Sequence, residues 1–248
     1  MNTQATISTP TAVKIGLAAA ILSAAAFIIF TAAFIAIAVS QPLYTWTNLA
    51  EAVAYREAHG AFWATLAQTM MLCFGILYVL MLNSIYELTS AHHRFLMRIS
   101  LYFGLGFAIL TGIHYFLQIS VVRLNLLHGE LAGLEQVMQA NDHSAVSGIN
   151  MLGWTIFFGL SSLFAAAAFP TAERLSKTIR WLLIINGVCC LSGSVAFAME
   201  WLVVLFLAIN FGMGGAVTIV TILLSIWFGR LYKKVPAAQP HLTQGDFS

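Results

Sequence analysis

Six apolar runs alternate with polar connections along the chain, at about residues 13–39, 61–83, 96–120, 149–169, 181–199 and 205–229. Each is close to or above the ~20 residues that a helix needs to cross a hydrocarbon core. The first starts at Lys14 and carries Ala36-Ile37-Ala38, which resembles a cleavage site. Secretory apolar regions run only about 7–15 residues, so this run reads as a retained helix. Residues 1–12 read as a flexible tail and 233–248 as a cytoplasmic one.

Two connections carry patterns of their own. In 41–60, Asn48 and Glu51 form a capping pair, Tyr44, Trp46, Leu49 and Val53 offer an apolar side, and Gly60 supplies a stop. That predicts a short interfacial helix. In 121–148, Leu124, Leu127, Leu131, Leu134 and Met138 recur at spacings of three and four, which predicts a helical stripe. Pro170 ends the fourth run, a basic turn follows, and Glu200-Trp201 leaves room only for a hairpin.

Of the 248 residues 60% are hydrophobic and 8% charged. Soluble domains average about 25% charged residues, so a water-soluble fold is excluded. The predicted class is all-α, an integral membrane bundle of six transmembrane helices in one domain. Lys14, Arg94, Arg98, Arg174, Lys177, Arg180, Arg230, Lys233 and Lys234 fall on one side, whereas Arg56 and Arg123 fall on the other. Short basic connections face the cytoplasm, which predicts both termini inside. Cys73, Cys189 and Cys190 show no CxxC spacing, so neither a disulfide framework nor a zinc site is suggested.

Candidate chemistry concentrates at the end of the third run, where His114 and Gln118 share a helix face and Arg123 follows. Polar groups at membrane depth usually face a cavity, a partner or the bundle interior. On the predicted topology, His59, Asn150, Trp154, Glu200 and Asn210 also fall in the outer half, and together they form a candidate ligand pocket. The sharpest expectation pairs His114 with Glu200. The plainer reading is that membrane interfaces are polar anyway, and that a histidine near a helix end bonds a neighbouring carbonyl. No phosphate loop, no lysine inside a run and no His-x-x-x-His pair occurs. By residue type alone His59, His114, His143 and Glu200 could bind zinc, but no spacing supports it, and no cofactor is named by the sequence.

Tyr115-Phe116-x-Gln118-x-x-Val121-Val122-Arg123, followed by Leu126-Leu127-x-Gly129-Glu130-x-x-Gly133-Leu134, resembles a segment of a bacterial family of multi-pass membrane proteins with no assigned activity. The resemblance covers about residues 110–155 and implies a bacterial inner-membrane protein. Where that family has Asn-Pro-His this chain has Asn141-Asp142-His143, and Asn150 replaces an acidic residue. An acid–base role is therefore not carried over. The leading expectation is binding or transport of a small or lipophilic ligand, with membrane lipids as partners and no nucleic acid. A membrane enzyme using His114 as base or metal ligand is the first rival. An accessory subunit of a larger membrane complex is the second, and the partner expected is a second copy of the chain, as a homo-oligomer, or that larger complex.

Overall fold

The computed structural model describes residues 5–234, all as helices and turns with no strand among them. Residues 1–4 and the part of the expected cytoplasmic tail from 235 onward lie outside the described residues. Six helical stretches are long and apolar enough to cross a membrane: Pro10–Ser40, Phe62–Leu88, Arg94–His128, Ala145–Ala168, Arg174–Ala198 and Leu202–Tyr232. The protein is a multi-pass membrane bundle.

Helix α1 (Ala5–Ser40) begins ahead of its apolar run, so part of the expected tail is helical. Pro10 lies near enough to the start that its missing N–H removes little of the ladder. Helix α2 (Leu49–His59) forms in the first long connection. Asn48 accepts from the Glu51 amide at 2.9 Å, and Gly60 ends the helix at φ 72°. Helix α3 (Phe62–Leu88) runs past the apolar run, and within that extension the Ser84 hydroxyl bonds back to the Leu80 carbonyl at 2.9 Å.

The third span joins α4 (Arg94–Leu117), a π-helical turn (Gln118–Val122) and α5 (Arg123–His128). The predicted stripe from Leu124 to Met138 stops there. Gly129 takes the left-handed conformation, its N–H and that of Glu130 closing the helix end, and Gly133 is left-handed too. Leu127 and Leu131 are consequently exposed, and only Leu134 and Met138 are buried.

The fourth span comprises α6 (Ala145–Met151), a second π turn (Leu152–Phe157) and α7 (Phe158–Ala165). The fifth is α8 (Arg174–Ala198). The last joins α9 (Leu202–Phe206), a third π turn (Leu207–Met213) and α10 (Gly214–Tyr232). Consecutive spans pack side by side and α10 returns to α1, closing a ring. Its centre holds aromatic side chains, with Phe74 stacked on Trp154 at 6.0 Å and Phe107 tilted against Phe158 at 4.7 Å. The outward faces carry exposed Ile, Leu and Phe, including Ile28, Ile109 and Ile219, which suits hydrocarbon. The closest approach joins α7 and α8, where a Cβ on Gly187 would stand 2.8 Å from the Gly159 carbonyl.

Candidate functional site

His114 is completely buried, with Nδ1 3.1 Å from the Val146 carbonyl on α6. A carbonyl only accepts, so Nδ1 carries the proton and the neutral ring presents its Nε2 lone pair. Nε2 has no hydrogen-bond partner. The Gln139 side chain lies against the imidazole, and its oxygen accepts from Gln68 Nε2 at 2.8 Å. Gln68 is the buried amide of α3, and its own oxygen is unpaired.

Gln118 sits one turn beyond His114, at the start of the first π turn, and both ends of its amide are occupied. Nε2 donates to the Val137 carbonyl, and Oε1 accepts from the Gln139 amide at 3.0 Å. Backbone partners on both sides fix which end is which. Gln118 thereby latches the Val137–Gln139 segment over the imidazole.

That segment is a roof with internal ties. Asn141 Nδ2 donates to the Glu135 carbonyl at 2.9 Å, and Ser144 and Ser147 hydroxyls donate to Met138 and Asn141 carbonyls at 3.1 and 2.9 Å. Leu134 and Met138 pack with Ala52 of α2 and Val122, flanked by Tyr44 and Trp46. The first long connection therefore clamps the second. Beneath lies an aromatic floor: the Trp154 indole N–H donates to Tyr115 at 3.0 Å, and Tyr115 meets the His114 ring edge-on at 4.8 Å. Asn150 lies beside the Tyr115 hydroxyl, with its amide oxygen unpaired.

Four predicted residues, His114, Gln118, Asn150 and Trp154, come together at this end of the bundle. The other four point away. His59 is exposed in the last turn of α2, its ring 4.6 Å from that of Tyr55. Arg123 is exposed at the start of α5. Asn210, also exposed, donates to the Phe206 carbonyl of its own helix at 3.0 Å. Glu200 closes α8 in the left-handed region at φ 55°, with the Trp201 amide bonded to Ala196 at 2.8 Å. This turn leaves the Glu200 carboxylate exposed, so the expected His114–Glu200 pair does not form. Among the described residues no three His, Cys, Asp or Glu side chains are grouped to hold a metal ion. The zinc set named from residue type is thus not assembled.

Two participants, Gln68 and Gln139, fall outside the predicted set. Gln68 carries a legible signal, being the amide of an otherwise apolar span. Gln139 carries none, because a loop residue acquires its role only through the roof. All three π turns lie in this half of their spans. Single π turns frequently accompany functional sites.

Neither family models, curated proteins nor solved structures match this chain.

A second buried polar group lies nearer the basic end, and it is complete. The Ser100 and Ser161 hydroxyls each donate to the other's carbonyl, at 2.8 and 2.9 Å. With its proton so used, Ser161 Oγ accepts from Tyr78 at 2.9 Å. Asn186 donates to Ser162 at 2.7 Å. Beside these groups is a cavity of about 20 Å³ bounded by Tyr78, Ser162, Asn186 and Thr221 among apolar side chains. That is room for about one water. None of the buried unpaired atoms belongs to this seam.

Proposed function

We propose that this is a bacterial inner-membrane protein that binds or transports a small or lipophilic ligand at the His114 site. The carrying observation is the His114 Nε2, sealed in a membrane bundle with no partner. An unsatisfied polar group at that depth costs several kcal/mol, a cost that an occupant removes. The π turns support the same reading, since they depart from regular winding around this site. Entry requires the Val137–Gln139 segment to lift, and Gln118 is the side chain that holds it. The basic end, with Arg94, Arg98, Arg174 and Arg230, supports an orientation with that end cytoplasmic and the roof outside. The bacterial assignment rests on the resemblance around residues 110–155.

Purified protein and its His114→Leu variant, extracted and analysed by mass spectrometry, test the proposal. A compound retained by the first and absent from an equally well-folded second is expected. The same compound in both, or none in either, overturns it. Reporter fusions after Gly129 and Ser176 check orientation, with the first expected outside and the second inside.

A further inference from the structure

Resting on that reading of the site, we infer that the polar end of the ligand is a hydrogen-bond donor, a hydroxyl or a protonated amine. Carboxylate and phosphate ends, which find no cation beside His114, are the excluded classes.

The argument is a count of donors and acceptors. His114 Nδ1–H is used on the Val146 carbonyl, which makes Nε2 an acceptor. The Gln68 and Asn150 amide oxygens are the other unpaired atoms around it, and both are acceptors. Three of the buried donors are already engaged. Trp154 N–H goes to Tyr115, Gln118 Nε2 to Val137, and the Thr111 hydroxyl to Phe107 at 2.8 Å. A ligand carbonyl set against Nε2 would meet a lone pair with no proton between. An anion set there would meet no cation, since Arg123 is exposed and the lysines within spans, Lys14 and Lys177, lie near the opposite end of the bundle. A positively charged imidazole would reverse the count, but among the described residues no carboxylate is paired with it, and an unpaired buried charge is far costlier than a neutral ring. A donor-bearing end completes Nε2.

The geometry also sets how many protons are useful. Nε2 takes one, and the amide oxygens of Gln68 on α3 and Asn150 on α6 offer further acceptors from two other spans. A primary ammonium can supply three donors, whereas a hydroxyl supplies one and can itself accept. The site therefore ranks an amine at or above an alcohol, and both above an isosteric ketone.

The test uses full-length protein in nanodiscs with ¹⁵N-labelled histidine, titrated with octylamine, octan-1-ol, octan-2-one and octanoate. The His114 resonance is assigned by its loss in His114→Asn. If that variant does not fold, it is assigned as the histidine signal least relaxed by a water-soluble paramagnet. We expect a neutral ring protonated at Nδ1, whose Nε2 signal shifts with octylamine and octan-1-ol. Apparent affinity should be about tenfold above that for octan-2-one, the worth of one net hydrogen bond. A shift produced equally by octan-2-one or octanoate overturns the donor assignment while leaving a ligand site at His114. A signal that no probe moves, as for a site holding water alone, overturns both the assignment and the site.

Discussion

The serine seam and the His114 site are both buried, polar and built where several spans meet, yet they are finished differently. In the seam no buried side-chain nitrogen or oxygen lacks a partner: Tyr78 serves Ser161, Ser161 serves Ser100, and Asn186 serves Ser162. At the His114 site, Nε2, Gln68 Oε1 and Asn150 Oδ1 are left over. A closed network holds helices together, because removing one member strands another. An open one adds little cohesion and leaves groups for something else. Burial and polarity alone thus do not mark a binding site in a membrane bundle. Unspent hydrogen-bonding capacity does.

Breaking the stiff region should have the largest effect. Gly187→Val places a branched side chain where even a Cβ stands 2.8 Å from the Gly159 carbonyl, and Leu163 crowds it at 2.4 Å. Overpacking of this kind costs about 1–3 kcal/mol or more. The expected outcome is loss of the monodisperse species in size-exclusion chromatography, and an unchanged profile would contradict the packing described. Next comes Ser161→Val, which strands the Tyr78 hydroxyl and removes the donor to Ser100. A loss of about 3 kcal/mol follows, from a penalty of about 1–3 kcal/mol for each stranded group. In the same denaturation assay His114→Leu should cost only about 1 kcal/mol, since it breaks the single bond to Val146 and otherwise removes an atom already unpaired. Equal losses for the two would erase the distinction between the regions.

A finer probe addresses the roof. Gln118→Leu deletes both bonds to the Val137–Gln139 segment, including the one protecting the Gln139 amide. Hydrogen exchange there should accelerate about tenfold, the equivalent of one net hydrogen bond. Exchange in the seam should not change, and acceleration there too would mean that the two regions unfold together. The smallest effect is expected at the hairpin. Glu200 holds φ 55°, which a non-glycine residue adopts at a cost of about 1–2 kcal/mol. Glu200→Gly should raise the thermal midpoint slightly without altering ligand retention. Lost retention would restore Glu200 to the site.

The six spans were legible because a bilayer imposes length and apolarity directly on the sequence. Asn48, Glu51 and Gly60 announced α2 through capping chemistry that depends on near neighbours only. His114 and Gln118 were legible for a related reason, since polar groups in an apolar run stand out. Which way a side chain faces was harder to read. Glu200 and Asn210 sit at the expected depth, but one lies on a left-handed turn and the other on a π turn, and both departures rotate side chains away from where regular winding would put them. The stripe ending at Met138 failed at Gly129, whose left-handed turn outweighed the periodicity around it. Gln139 gave no local signal because its contacts with Gln68 and His114 close only when the roof is in place.

The π turns at Gln118–Val122, Leu152–Phe157 and Leu207–Met213 bear on mechanics as well as on chemistry. A wide turn already departs from the i→i−4 ladder, so it can bend or shift register more readily than a regular one. The opposite half is pinned by interlocking serines and by glycines that bring backbones into contact. Stiffness is therefore graded along the bundle axis. Forceps are made the same way, jointed at one end and free at the other, and their tips part widely for a small movement near the joint.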